Sequence, residues 1–201
     1  MTVVQEQTPP PGGPWLQTSR GRAWIATSPE TYPYDLHEIA HALAHLCRFV
    51  GHTQGPYSVL QHSVLVAEEV HELEGNDELT RWALLHDAGE HLLGDMPAPI
   101  KRMPELAGYR ALYRRTEAAI AAHFGLAGCV DHPTIRHADL VLLATERRDV
   151  LSRSPYESYW GALPPPRAER IHLWTPESTR TRFFAAWLNA GGTIPELEST
   201  P

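Results

Sequence analysis

Apolar side chains recur every three to four positions in six stretches of the chain, and this spacing predicts amphipathic helices. Aromatic and β-branched residues around positions 19–22 predict a short hairpin over residues 15–26. The expected fold class is therefore all-α, a helical bundle with one small N-terminal β element. The predicted helices cover residues 35–50, 58–73, 77–93, 109–124, 132–151 and 176–189.

Proline and glycine mark the segments between and beyond these helices. Residues 1–14 are polar and rich in both, which predicts a disordered arm. Prolines also interrupt residues 95–99 and 152–170, so the first segment is expected to be non-helical and the second mostly irregular. We predict a single domain over residues 15–190, followed by a loose tail over 191–201.

The composition is that of an ordinary globular protein, with 42% hydrophobic and 20% charged residues. A net charge of −7 argues against a broad surface for duplex nucleic acid. Two cysteines are too few for a disulfide framework, and no apolar stretch has the character of a leader peptide or membrane span. The expected location is the cytoplasm, with no membrane partner.

Three ionisable residues, His86, Asp87 and Glu90, stand together inside an apolar helical pattern. Residues three and four apart share one face of a helix, so all three can face one pocket. Burying such groups is costly unless a partner compensates, and a bound cation is one such partner. His62 and Asp139, from two other predicted helices, complete a set of four candidate ligands. Two imidazoles and two carboxylates suit a divalent Mn, Co, Fe, Zn or Mg ion.

The order His62, His86-Asp87 and Asp139 resembles the His…His-Asp…Asp signature of the HD-domain phosphohydrolases. Within that superfamily, HDAGEHLLGDMPAPIK (residues 86–101) is similar to the corresponding run of the YfbR-like 5′-deoxynucleotidases. The segment IAHALAHLCRFVGHTQGPYSVLQHSVLVA is similar to small HD phosphohydrolases that include the DatZ-type dATP triphosphohydrolases. The resemblance extends from residue 15 to residue 151 and implies an HD-domain helical bundle.

The resemblance implies a role for each residue that matches the family pattern. Glu90 matches a catalytic carboxylate, and Asp95 matches a second acid that could orient water or carry a proton. The implied metal ligands are His62, His86, Asp87 and Asp139. The implied substrate contacts are Arg48 for phosphate or sugar, Phe49 for the base, and Pro97 and Pro99 in the loop beside the base.

The implied function is metal-dependent hydrolysis of phosphate esters of deoxynucleotides, with a nucleotide as the substrate. Two versions stay open, a 5′-deoxynucleotidase acting on a monophosphate and a triphosphohydrolase acting on a deoxynucleoside triphosphate. Self-association is expected as well, because relatives of this type commonly form oligomers. Trp160, Trp174 and Trp187 are candidates for such an interface or for a late part of the core.

Other interpretations of the same residues stay open. A binuclear HD phosphodiesterase needs two further histidines, for which His123 and His132 are available. A sensor would keep the metal and the nucleotide without turnover, and a structural domain would carry the dipeptide incidentally, with His62 as a core histidine. Asp95 could instead brace the proline loop, and Phe49 could belong to the core.

Two further clusters are interpreted as lying outside the site. His37, His41 and His45 recur every four residues, but they lack the glutamate of a zinc-binding HExxH motif, so a solvated or partly buried face is expected. Arg147 and Arg148 follow Glu146 directly and predict an intrahelical ion-pair face.

Overall fold

A computed structural model describes residues 12–194 of the chain. That part is mostly helical, with one two-stranded antiparallel sheet near the N-terminus, which confirms the predicted fold class. The strands are β1 (Trp15–Gln17) and β2 (Ala23–Ile25). The helices are α1 (Leu36–His45), α2 (Val59–Glu74), α3 (Asp77–Leu85), α4 (Glu90–Leu93), α5 (Ala98–Lys101), α6 (Ala107–His123), α7 (Pro133–Asp149) and α8 (Pro176–Asn189). Short 3₁₀ helices occupy Pro29–Thr31, Arg48–Gly51, Pro104–Leu106, Ala127–Cys129 and Glu157–Trp160.

The hairpin lies where the sequence predicts it, with Trp15 opposite Ile25 and Gln17 opposite Ala23. The predicted arm lies outside the described residues except for positions 12–14, where the Pro14 carbonyl accepts a hydrogen bond from the Ala26 N–H at 2.9 Å. The hairpin therefore anchors the start of the described chain.

Helix α2 lies at the centre of the bundle and packs against α1, α3, α7 and α8. It begins where the Ser58 side chain accepts a hydrogen bond from the Gln61 N–H, as the sequence predicts. It ends at Gly75, whose left-handed φ of 61° suits a residue without a side chain. Because several neighbours surround α2, its polar His62 is as fully buried as its apolar residues.

The core extends from Trp24 of β2 to Trp187 of α8. Trp187 is only 4% exposed, so it belongs to the core, and Trp174 packs partly buried against that core. Within the described residues, none of the helices has the length and apolar character that crossing a lipid bilayer requires.

The first predicted helix is wrong beyond His45, where α1 ends. The chain then becomes extended, and Cys47 forms an antiparallel β-bridge with Ser58, so the backbone bonds to another segment instead of continuing a helix. Phe49 and Val50 follow with positive φ angles of 55° and 54°, an uncommon conformation for residues other than glycine. This sharp turn places the intervening arginine, Arg48, in the interior of the molecule.

The predicted helix 77–93 is interrupted between Leu85 and Glu90. There the Ala88 N–H bonds to the Leu85 carbonyl, three residues back, as in a tight 3₁₀ turn. The ring of His86 bonds to the Ala83 carbonyl through Nδ1, at 2.7 Å, and so satisfies a carbonyl at the end of α3. The break therefore lies at the dipeptide that carries the proposed chemistry.

The prediction that residues 95–99 are non-helical is wrong at Ala98 and Pro99, which open α5. Proline is compatible with the first helical turn because its missing N–H has no partner there. The other four predicted helices are confirmed to within two residues at each end. The segment 152–170 is irregular as predicted, apart from its one 3₁₀ helix.

Candidate metal centre

Three separate parts of the bundle bring the four predicted ligands together. His62 comes from α2, His86 and Asp87 from the turn after α3, and Asp139 from the second turn of α7. One ligand atom from each of His62, His86 and Asp87 lies within 4.8 Å of the others, so this group can hold a metal ion. Asp139 lies beside the group, with its Oδ1 3.2 Å from His62 Nε2.

The distances within the cluster are those between neighbouring ligands of one ion. His62 Nε2 lies 3.3 Å from His86 Nε2 and 3.6 Å from Asp87 Oδ2, and His86 Nε2 lies 3.4 Å from the same oxygen. Ligand atoms about 2.1 Å from a common ion, in tetrahedral or octahedral arrangement, are separated by about 3.0–3.4 Å. The side chains are therefore already positioned for joint coordination.

The hydrogen bonds of the two imidazoles determine which ring nitrogens are free. His62 Nδ1 donates to the Glu146 carboxylate at 2.7 Å, and His86 Nδ1 donates to the Ala83 carbonyl at 2.7 Å. Both partners only accept, so a neutral ring in either position has an unprotonated Nε2. Two lone pairs and the oxygens of Asp87 and Asp139 thus point at one another, and only a proton or a metal cation makes this arrangement favourable.

Glu146 supplies the buried counter-charge behind His62. Its side chain is fully buried, with Oε1 2.7 Å from His62 Nδ1 and 3.2 Å from Arg48 Nε. Burial and the Arg48 guanidinium oppose protonation of His62, but Glu146 and Asp139 outweigh them and raise the pKa of His62 to about 9. Without a metal, a proton on His62 therefore takes the place of the cation.

Arg48 bridges two carboxylates of the cluster. Its Nη1 lies 3.3 Å from Asp87 Oδ2, and its Nη2 donates to Glu146 Oε2 at 3.4 Å. Burial alone would raise the pKa values of Asp87 and Glu146. Nearby positive charges, among them Arg48 for each of the two acids, outweigh burial and hold both pKa values below their ordinary values. The geometry thus gives Arg48 a role in orienting the ligands, whereas the sequence predicts that it contacts the substrate.

Glu90 lies beside the cluster, and its environment favours its neutral form. It is 3% exposed, and burial together with the charges of Asp87 and Asp95 holds its pKa well above the ordinary value. Lys101 partly offsets this, with its Nζ 3.4 Å from Glu90 Oε1. The other carboxyl oxygen, Oε2, is buried without a hydrogen-bond partner among the described residues.

The remaining predicted residues, Asp95, Phe49, Pro97 and Pro99, do not line the cavity beside the cluster. Asp95 Oδ2 accepts a hydrogen bond from the Phe49 N–H at 3.1 Å, so Asp95 braces the strained turn after α1. Burial, together with the charge of Asp87, raises the pKa of Asp95, although Arg48 opposes this. Pro97 caps α5 and Pro99 lies within it. The described contacts thus support the bracing interpretation of Asp95.

A cavity of about 250 Å³ opens onto the cluster. His86, Asp87 and Asp139 line it, and its wall also carries Lys101 and Arg136 together with the acidic Glu117 and Asp131. Asp139 keeps 44% of its side chain exposed, so the ligand cluster is accessible from this cavity. Small anions and the polar end of a larger molecule can reach the cluster through this opening.

Comparison with known proteins gives the chain relatives without a stated activity. No family model matches it. The chain is 40% identical over 115 residues to the uncharacterized protein YfdR of Escherichia coli, a match that covers 57% of this chain and 60% of YfdR. It is 34% identical over 183 residues to the uncharacterized protein RCAP_rcc00048 of Rhodobacter capsulatus, covering 85% of this chain and 92% of that relative. The chain belongs to the RCAP_rcc00048 family. Neither relative's name states a chemistry, so the function of this family member has to be inferred from its site.

The two histidines considered for a second metal make other contacts in this member of the RCAP_rcc00048 family, although His132 also lines the cavity beside the cluster. The ring of His123 packs against Tyr34 and Phe124, with ring centres 5.8 and 4.9 Å away. The ring of His132 accepts a hydrogen bond from the Thr134 N–H and so caps α7. Neither belongs to a group of three or more metal-binding side chains among the described residues.

Glu146 pairs with Arg48 and His62, and not with the adjacent arginines of α7 as predicted. Arg147 and Arg148 do not pair with it, since Arg148 binds Asp149 through two nitrogens at 2.8 Å and no described residue pairs with Arg147. A signal for the buried position was present, because Glu146 follows Asp139 by seven residues, two helical turns on the same face of α7. That spacing predicts that both acids face the histidines.

Proposed function

We propose that this protein is an HD-type metal-dependent phosphohydrolase that cleaves phosphate esters of deoxynucleotides. The observation that supports this most strongly is the convergence of the Nε2 atoms of His62 and His86 with the oxygens of Asp87 and Asp139. Such a set is unfavourable without a central positive charge, and it is open to a cavity. Catalytic metal sites combine these features, whereas structural sites are closed.

The donor set fits a divalent cation with open positions. His62, His86, Asp87 and Asp139 would hold the ion, which we take to be Mn, Co, Fe, Zn or Mg, because nitrogen and carboxylate oxygen suit all five. When bound, a divalent ion of this kind polarises a phosphoryl oxygen and lowers the pKa of coordinated water. Glu146 and the Ala83 carbonyl hold the two rings in the orientation that this requires.

Glu90 is the group that we assign to proton transfer. Its raised pKa lets the carboxyl group gain and lose a proton closer to neutral pH than an ordinary glutamate does. Its unpartnered Oε2 is available for a hydrogen bond to attacking water or to the leaving oxygen. Lys101, whose Nζ also lies 4.2 Å from the centre of the Tyr113 ring, is placed to orient an anionic phosphate at the cavity wall.

The substrate class follows from the resemblance of the site residues to deoxynucleotidases and is tested by a product assay. Purified protein loaded with Mn, Co or Mg is incubated with a panel of deoxynucleoside mono- and triphosphates, and released phosphate, pyrophosphate and triphosphate are measured separately. We expect metal-dependent release from at least one deoxynucleotide, with phosphate indicating a nucleotidase and triphosphate indicating a triphosphohydrolase. Asp87→Asn should abolish the release, while Asp131→Asn, at the exposed rim of the cavity, should retain it.

Two outcomes would overturn the proposal. Activity on cyclic dinucleotides alone would point to a phosphodiesterase. Metal and nucleotide binding without any product from the full panel would point to a sensor that binds nucleotides without turnover.

A further inference from the structure

A second and larger cavity, of about 800 Å³, lies between the C-terminal half of α7 and the irregular segment 152–170. None of the four metal-binding side chains lines it. Its volume is within the range typical of sites for small organic ligands and cofactors.

Four arginines line this cavity, although the chain as a whole is acidic. Arg148 and Arg170 are both held by the buried Asp149, each with a guanidinium nitrogen 2.8 Å from one of its oxygens. Arg147 and Arg153 have no hydrogen bond or ion pair with any described residue. Glu157 is the one acidic side chain that lines the cavity beside these four arginines.

The two unpaired arginines differ in exposure, and Arg153 is the exposed one. Arg147 is half-buried on α7, the residue directly after the fully buried Glu146. The two neighbours therefore face different sides of the helix, Glu146 toward the metal centre and Arg147 toward the cavity. An unpaired guanidinium in a concave site is a ready partner for a phosphate group, which it can bind through two parallel hydrogen bonds.

Part of the cavity wall is apolar and includes an aromatic ring. Trp160, Leu163 and Pro164 line the same cavity as the arginines. The face of an indole ring stacks with a nucleobase without selecting one base, and this contact is worth about 1–3 kcal/mol per base. Arginines for phosphate and a tryptophan for a planar ring together match the two ends of a nucleotide.

We propose that this cavity is a binding site for a nucleoside phosphate, separate from the metal centre. Arg147 and Arg153 bind the phosphate groups, and Trp160 stacks on the base. Asp149 acts as a fixed support that holds Arg148 and Arg170 in the wall. The site does not depend on the activity proposed above, because it contains none of the groups assigned to that reaction.

Binding of a fluorescent N-methylanthraniloyl-dATP in the presence of EDTA tests this site without metal-dependent turnover. We expect saturable binding to the wild-type protein, weakened at least tenfold by Arg147→Gln and by Arg153→Gln. Arg114→Gln, which removes an exposed arginine of α6 that also has no described partner, is the matched control and should bind like the wild type. Trp160→Leu should weaken binding at least fivefold and reduce energy transfer from tryptophan to the probe.

The metal-site variant His86→Ala separates the two cavities. The proposal expects it to bind the probe with unchanged affinity. A loss of binding in His86→Ala with none in Arg147→Gln would assign the probe to the metal centre and overturn the proposal. Absence of binding to the wild type at 1 mM probe, or equal affinity in all variants, would overturn it as well. The thermal unfolding midpoint of each variant verifies folding, and the arginine substitutions should leave it unchanged because they break no described contact.

Discussion

Replacing Glu146 by glutamine tests whether the buried carboxylate orients the metal-binding ring of His62. Glutamine has the same shape and keeps an oxygen that can accept from His62 Nδ1, but it removes the negative charge shared with Arg48. Substitutions of such supporting groups typically cost 10–100-fold in metal affinity. This corresponds to about 1.4–2.7 kcal/mol of binding free energy. Arg48 would keep Asp87 as a partner, so we expect a stability loss of only about 1–3 kcal/mol and a folded protein.

Isothermal titration calorimetry with Mn at pH 7.5 measures this effect directly. The matched control is Glu105→Gln, at an exposed glutamate outside the cluster, which should bind Mn like the wild type. Far-UV circular dichroism verifies that both variants are folded. The reasoning is refuted if folded Glu146→Gln binds Mn within twofold of the control, because the charge behind His62 would then contribute nothing to the site.

Three further predictions follow from buried side chains. Glu90→Gln should reduce product release at least 100-fold. Its nucleotide affinity, measured by calorimetry with metal present, should stay within threefold of the wild type. Unchanged product release would show that Glu90 takes no part in the mechanism. Burial lowers the pKa of His91 from 6.5 to about 4, although its hydrogen bond to the Ala88 carbonyl and the charge of Glu38 oppose this shift. Because the imidazole binds a proton more tightly in the unfolded chain than in the folded one, the contribution of His91 to stability falls as the pH drops from 6.5 towards 4. In urea unfolding, the wild type and the exposed-site variant His137→Gln should each lose about 2 kcal/mol more stability between pH 7 and pH 5 than His91→Gln loses; equal changes in the two variants would contradict the assignment. Leu84→Ala, at a fully buried position, should lower the free energy of unfolding by about 2–5 kcal/mol in the same assay. Leu140 is 42% exposed, so an equal loss in Leu140→Ala would contradict the packing described.

Local signals in the sequence were sufficient to predict most helix boundaries. Ser58 and Thr175 both accept a hydrogen bond from a backbone N–H three residues later, an interaction that depends only on the neighbouring residues. Gly75 likewise ends α2 through its own backbone conformation. Features of this kind are predictable because no distant part of the chain is needed to form them.

Features that depend on distant contacts were not predictable in the same way. The apolar pattern continues past His45, but the chain leaves the helix there because its backbone pairs with the segment at Ser58. The interruption after Leu85 likewise has no proline and no change in apolar spacing to indicate it. Both irregularities lie at the candidate site, where the backbone leaves a regular helix in order to place Arg48 and the His86-Asp87 pair.

The sequence predicted which side chains could bind the metal, but not the contacts that support them. The convergence of His62, His86 and Asp87 follows the predicted pattern, whereas the role of Arg48 between two carboxylates depends on the turn that the sequence did not indicate. Glu146 was overlooked because adjacent arginines offered a simpler explanation for its charge. The i, i+7 relation to Asp139 shows that helical period is a better guide to shared faces than adjacency.

The most direct test of the proposed metal centre is an anomalous-scattering crystal structure of the protein soaked with Co or Mn. The account predicts one strong peak about 2.0–2.3 Å from His62 Nε2, His86 Nε2 and an oxygen of Asp87, with Asp139 also in contact. A well-ordered cluster without a peak, or a peak bound by other side chains, would contradict it.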